Sequence, residues 1–269
     1  MRAGFTLVEM LMSLAIMSIG AVVLGGLMLA IGTAWDHASA LEDSRRQAQS
    51  ATSRIEWMVL QAGTYRMTGQ STTLGVAVVS DTWNTYQAPT TLVVWSGGTN
   101  GGMAASGLQT RLPVASELAV YAPDITTQSR FVELTFPGDS TAVDFRAASF
   151  ANTIQSLRKS QTRQTVILSD RLNVATSSGV PALSLGNARF EMTLTPSDSN
   201  LASVVVGSQS WNDLPWGRGL VAGDSGLRTA NVRAELLLDP IPNKPTTSNG
   251  YSTAIPFYGS VHRQYVYQP

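Results

Sequence analysis

From Met10 to Trp35 the chain carries no charged residue, an uninterrupted run of 26. As a helix rising about 1.5 Å per residue this run is roughly 39 Å long, enough to cross a hydrocarbon core of roughly 30 Å. No comparable run follows, so the sequence predicts a single span. Ahead of it stand Met1-Arg2-Ala3-Gly4, with one basic side chain, and after it come Asp36, Glu42, Asp43, Arg45 and Arg46, of mixed sign. The positive-inside rule then puts the N-terminus in the cytoplasm and the bulk outside. A secretory signal peptide has a shorter apolar core and a small-residue cleavage site. Ile31-Gly32-Thr33-Ala34-Trp35 is a poor site of that kind. The plain reading is an uncleaved anchor, but it leaves Glu9 unexplained: a carboxylate entering a membrane costs several kcal/mol unless it is paired or near the interface.

The segment Gly4-Phe5-Thr6-Leu7-Val8-Glu9-Met10-Leu11 resembles the N-terminal signature of type IV prepilins and type II secretion pseudopilins. The resemblance covers roughly the first thirty residues, a short-motif match. It implies a membrane peptidase that cuts after Gly4 and methylates the new N-terminus at Phe5. It also implies that Glu9 is the acidic residue on which assembly depends. The physical sense is direct, because a free amine on Phe5 is a cation in an apolar filament core that Glu9 of a neighbouring subunit can neutralise. Further partners implied are other pilin or pseudopilin subunits, an inner-membrane assembly platform and, before assembly, the lipid bilayer. Three features depart from the family's major subunits. There is no cysteine pair near the C-terminus, no proline before Pro89, and the body is large. All three point to a minor subunit of the J or W kind that primes or caps a filament. Gly25-Gly26 stands where a bend is expected, since glycine costs about 1 kcal/mol per helical position relative to alanine.

Helical spacing continues beyond Trp35. Leu41, Ala48, Thr52, Ile55, Val59 and Ala62 recur at intervals of 7, 4, 3, 4 and 3, a one-sided stripe. The expected organisation is a leader peptide at 1–4, a transmembrane or filament-core helix at 5–35, its amphipathic continuation at 36–62 ending near Gly63, and a β-rich head at 63–269. Candidate strands are Leu74–Val79, Thr91–Trp95, Leu118–Tyr121, Phe131–Phe136, Thr165–Leu168, Ala188–Leu194, Ser203–Val206, Val232–Leu238 and Phe257–Tyr267. Phe131–Phe136 and Val232–Leu236 alternate as half-buried strands do. A short helix is expected at Phe150–Ser160, and Ser197–Ala230 reads as a long excursion with one short strand. The fold class is α+β: a long N-terminal helix packed on a mainly antiparallel β head, pilin-like.

Lys+Arg 18 balances Asp+Glu 18, which argues against a nucleic-acid partner held by phosphate contacts. The absence of cysteine excludes disulfides, thiolate metal sites and a cysteine nucleophile. Gly223-Asp224-Ser225-Gly226 spells the tetrapeptide around the nucleophile of trypsin-like proteases. That chemistry needs a histidine in reach, and the two present, His37 and His262, lack a supporting context. Gly138-Asp139-Ser140 follows a strand-ending Pro137 and reads as a turn. No catalytic residue is assigned, and no cofactor is expected. Some pseudopilins carry calcium in head loops, and Asp198, Asn200, Asp213 and Asp224 are the candidates here, although EF-hand spacing is absent. Trp211 and Trp216 stand in one polar loop, folded onto the core or left outside as an interaction site. Two functions remain: a filament subunit, and an uncleaved anchored envelope protein with a β-rich binding domain.

Overall fold

The structure is a computed structural model and describes residues 6–83, 86–176, 184–205, 210–214, 217–220, 225–240 and 254–269. The chain falls into two units, Met1–Asp43 and Ser44–Pro269. Helix α1, Leu7–Leu60, runs through the boundary.

In the first unit the apolar side chains from Leu7 to Trp35 are exposed, and the helix is long and apolar enough to cross a membrane. The helix is not unwound at Gly25-Gly26, and α-helix continues through Gly20, Gly25, Gly26 and Gly32. Strong helix formers such as Leu24, Leu27, Met28 and Ala30 flank the glycines and offset their cost. The few hydroxyls satisfy themselves on the helix backbone: Ser13 donates to the carbonyl of Glu9 at 2.9 Å, Ser18 to Ala15 at 2.8 Å and Thr33 to Ala30 at 3.0 Å. An apolar surround then meets no open polar group there.

In the second unit the last turns of α1 bury Ser44, Ala48, Ala51, Ile55, Met58 and Val59. The expected stripe is therefore correct at Ala48, Ile55 and Val59. It starts too early, since Leu41 is 41% exposed and the buried face begins at Ser44. Gly63 does not act as a helix cap. A Cβ there would sit 3.0 Å from both the Trp95 ring and the Met103 side chain, so glycine is what admits them.

The first sheet is an antiparallel meander of five strands in chain order: β1 Val76–Trp83, β2 Tyr86–Trp95, β3 Leu118–Pro123, β4 Phe131–Thr135 and β5 Gln164–Ser169. The second contains β6 Ala188–Thr195, β7 Arg218–Gly219, β8 Gly226–Leu238 and β9 Ile255–Tyr267. Here β8 is the spine: β6 and β7 pair with one edge and β9 runs its full length on the other, all antiparallel. Thr64–Tyr65, Thr73–Leu74 and Leu108–Gln109 form a small sheet with one parallel pairing. Helix α2, Phe150–Lys159, confirms the expected short helix.

Two cores follow from this layering. One gathers the buried face of α1 with Leu92, Val94 and Tyr121 of the first sheet and Phe190, Val232 and Leu236 of the second. The other, on the opposite face of the first sheet, gathers Val93, Trp95, Val120 and Leu134 with Phe150, Ile154 and Leu157 of α2. Strand β4 is consequently buried at all five residues, which corrects the expectation of a half-buried alternating strand. Val232–Leu236 does alternate, because the second sheet has one outward face.

The expected strand at Ser203–Val206 is helix: α3 spans Asp198–Val205, and Val206 lies outside the described residues. The Ser197 hydroxyl accepts from the backbone N–H of Asn200, and Leu201 and Val204, one turn apart, are both buried. Capping and helical spacing here outweigh the β preference of valine. The supposed excursion is also shorter than expected, since β8 begins at Gly226.

Burying β4 on both faces puts Glu133 out of water, with its side chain 2% exposed. Arg54 of α1 grips it with two hydrogen bonds, Nε to Oε2 at 2.8 Å and Nη2 to Oε1 at 2.9 Å. The Tyr121 hydroxyl donates to Oε2 at 3.0 Å. Burial, then the Glu133 charge, pushes the Tyr121 hydroxyl well above its ordinary value of 10.0. On the other face Arg158 of α2 donates through Nη1 to both oxygens of Asp81 at 2.9 Å and through Nη2 to the Pro123 carbonyl at 3.0 Å.

Arg54→Ala strands Glu133 without its cation, and we expect a loss of about 3 kcal/mol in unfolding free energy by denaturant titration of the full chain. A second expectation concerns acid. Burial opposes ionisation of Asp81, but Arg158 and the Thr90 hydroxyl outweigh it and hold the carboxyl below its ordinary 3.8. Glu117, hydrogen-bonded first by Arg111 and also by the Trp95 indole, is held below its ordinary 4.5. Both groups then stabilise the fold above their unfolded pKa values, and that stabilisation is lost as pH falls through the lower folded values. The thermal midpoint should decline below about pH 4.5, and Asp81→Asn should flatten the decline.

Candidate functional site

The start of α1 is built from Thr6 and Glu9. Thr6 precedes the first helical residue, where backbone N–H groups have no intrahelical acceptor. The Glu9 carboxylate turns back to fill that need: Oε2 accepts from the Thr6 backbone N–H at 2.9 Å and from the Thr6 hydroxyl at 2.9 Å. In return the Thr6 hydroxyl accepts from the Glu9 N–H at 3.4 Å. This is a capping box, spelled Thr-x-x-Glu immediately ahead of an apolar run, a signal the sequence reading passed over. The arrangement places the one carboxylate of this region at the positive end of the helix dipole. Gly4 and Phe5 lie outside the described residues.

The residues that invite catalysis are kept apart. Ser225 is buried, its carbonyl accepts from Leu220, and it immediately precedes β8. In the β8–β9 ladder Gly226 faces Tyr267, whereas His262 faces Asn231, five residues further along. At about 3.4 Å per residue that separation is roughly 17 Å, far beyond a proton-transfer contact. Gly223 and Asp224 lie outside the described residues. Gly226 has a packing reason, because a Cβ there would fall 2.2 Å from a ring carbon of Trp211. Trp211 is folded onto the core with its ring 5.9 Å from that of Tyr267, while Trp216 lies outside the described residues. Gly138-Asp139-Ser140 is a turn, with Gly138 at φ 78° and the Asp139 carboxylate accepting from the Thr141 N–H.

Two of the calcium candidates are engaged by donors of the protein itself. Asp198 accepts from Arg228 Nη2 at 2.6 Å, and Asp213 accepts from the Ser210 N–H at 3.1 Å. Asn200 sits in the first turn of α3, and Asp224 lies outside the described residues. Among the described residues no group of three or more His, Asp or Glu side chains is placed to hold a metal.

Residues 1–32 match the family described as the prokaryotic N-terminal methylation motif. The match contains Gly4, Phe5 and Glu9 and most of the exposed apolar part of α1, and it does not reach the sheets. No curated protein and no solved structure matches the chain.

From the separation of Ser225 and His262, a serine-reactive fluorophosphonate should leave the folded chain unlabelled, as read by intact-mass measurement. Stoichiometric labelling lost in Ser225→Ala would reverse that reading.

Proposed function

We propose that the chain is the precursor of a filament subunit of the type IV pilin or type II pseudopilin kind, with a structural rather than a catalytic role. The observation that carries the reading is the methylation motif at residues 1–32 lying on a helix whose apolar side chains from Leu7 to Trp35 are exposed. Such a surface needs lipid or neighbouring helices around it. Hydrolysis of the Gly4–Phe5 amide by a prepilin peptidase frees an amine on Phe5, which the same class of enzyme methylates. Residues 1–4 are then the leader, 5–35 the membrane and later filament-core helix, 36–62 its continuation and 63–269 the head. The protein waits in the inner membrane with its head outside the cytoplasm and is taken up by the assembly platform among other subunits.

Glu9 acts in that step as counter-charge. In the isolated chain its carboxylate is held by Thr6, which makes it tolerable on an apolar helix. In a filament the Phe5 amine of a neighbour adds a full positive charge to the same oxygen cluster. Neither charge is stable alone in apolar surroundings, so their meeting fixes the axial register. The missing cysteines, the late first proline and the large head favour a minor subunit.

Co-expression with an active prepilin peptidase should give a mature chain beginning at Phe5 and carrying one added methyl group, read by N-terminal mass spectrometry. An intact Met1 under those conditions overturns the proposal and leaves an anchored envelope protein. Glu9→Ala should leave membrane insertion unchanged and abolish recovery of the chain in sheared filament fractions.

A further inference from the structure

The lateral edge of a sheet is a row of backbone N–H and C=O groups without a partner strand. Among the described residues the two main sheets have four such edges, and three of them carry a device that turns another strand away. At β1 the pairing with β2 slips between Val79 and Asp81, and the Asp81 carboxylate turns in to Arg158 at 2.9 Å. Strand β6 presents the exposed charges of Arg189 and Glu191. Strand β9 carries Pro256, which has no N–H to donate, and the guanidinium of Arg263, turned toward the Ala62 carbonyl.

The fourth edge, β5, has no such device. Its residues, Gln164-Thr165-Val166-Ile167-Leu168-Ser169, include no proline, glycine or charge. They pair with β4 on one side, and among the described residues no strand or loop takes their backbone groups on the other. The one irregularity in that pairing lies between Phe131 and Val132, at the Ser169 end, and leaves Gln164–Ile167 in register. Val166 and Ile167 point to opposite faces and are each 51% exposed. Two β-branched side chains left in water beside an open ladder are what an added strand covers.

The surroundings give this edge a polarity. At its N-terminal end stand Lys159, exposed on the last turn of α2, and Arg163, whose Nη1 donates to the Arg158 carbonyl. Neither forms an ion pair among the described residues. At the other end the exposed Asp170 accepts from Gln47 at 3.0 Å. Geometry disfavours a second copy as the occupant. Antiparallel pairing of β5 with itself needs a two-fold axis normal to the sheet, because paired residues share a face. Residues 47–54 of α1 lie along the sheet, from Gln47 at Ser169 to Arg54 at Glu133, the partner of Val166. The axis would reverse that direction in the second copy, against anchorage of both N-terminal helices in one membrane.

We infer that β5 accepts an extended segment of a different protein as an added strand of the first sheet. The segment runs antiparallel to β5 and ends in a carboxylate that meets Lys159 and Arg163. Ladder hydrogen bonds supply the affinity, and the charges at the two ends supply the direction. The site belongs to the head and stands whether or not the N-terminus is cleaved. Only the exclusion of a second copy rests on the membrane anchorage proposed for α1.

The probe is a dye-labelled peptide, Lys-Thr-Val-Thr-Val-Thr-Asp, titrated into the full-length protein in detergent and followed by fluorescence anisotropy against empty micelles. It should bind saturably at one site per chain and slow hydrogen exchange at the backbone amides of residues 164–168, read by mass spectrometry. The peptide with every backbone amide N-methylated should bind about tenfold more weakly or worse. Lysine in place of its aspartate should cost about threefold. Ile167→Lys, and separately Val166→Lys, put a charge at an exposed edge position and should weaken binding about tenfold with the thermal midpoint unchanged. No saturable binding up to about 1 mM peptide overturns the site. Protection elsewhere in the chain overturns its placement, and undiminished binding of the N-methylated peptide overturns strand addition. Equal binding of the lysine-ended peptide removes the role of Lys159 and Arg163. A dimer in analytical ultracentrifugation that Ile167→Lys dissolves overturns the foreign partner in favour of a second copy.

Discussion

Glu133 is a carboxylate in the middle of a sheet, with a helix over one face of that sheet and a second helix over the other. Left alone there it would cost several kcal/mol or take up a proton. The two hydrogen bonds from Arg54 and the third from Tyr121 remove that penalty only if α1 lies on the first sheet at one depth and one rotation. Arg54 Nη2 also donates to the Thr99 carbonyl at 2.7 Å, and its guanidinium lies 5.1 Å from the Trp57 ring. The apolar contacts of Ile55, Met58 and Val59 are more permissive, since hydrophobic burial has no direction. The ion pair supplies the direction, and the register of helix on sheet depends on it.

The same device recurs on the opposite face, where Arg158 joins α2 to Asp81 beside the irregular pairing of β1 and β2. Each helix therefore reaches the first sheet with one arginine and a set of apolar residues. The central strands of the meander are covered on both faces, whereas its last strand, Gln164–Ser169, is mostly exposed. The centre consists of short runs such as Leu118–Pro123 and Phe131–Thr135 that are buried throughout. The second sheet has no such outer cover. Its outward face keeps the cross-strand pairs Arg189–Glu235 and Glu191–Arg233, opposite charges facing each other on solvent-exposed strands. One sheet is thus the interior of the head and the other a wall of it.

Much of this was legible in the residues, and the failures have physical causes. The apolar run, the helix beyond it, the short helix near Phe150 and most strands emerged because their signals are local: periodicity, capping and strand-ending prolines. Ser203–Val206 misled because valine favours strands, while the opposing signal was a serine cap and two apolar residues one turn apart. The alternation in β4 misled because a buried glutamate looks like an exposed one until its arginine, 79 positions away in sequence, is known. The open edge at β5 was illegible for the same reason, as strand order follows only from the topology. The capping box of Thr6 and Glu9 was fully legible and was missed because the resemblance already accounted for the carboxylate.

That double account of Glu9 is itself informative. A glutamate selected only to cap a helix needs no apolar continuation, and one selected only to meet an amine needs no threonine three residues before it. Here both are present, so under the proposed function the carboxylate would be satisfied in two different surroundings. While the chain is alone, Thr6 and the helix dipole hold the charge locally at the edge of the apolar segment. Among packed helices those donors remain, because they belong to the same turn, and the carboxylate still has lone pairs to offer a cation. Under the proposed function an incoming amine would therefore add to an existing cluster, with no bond first broken to make room for it. That would lower the cost of transferring the site from a membrane edge to an apolar interior.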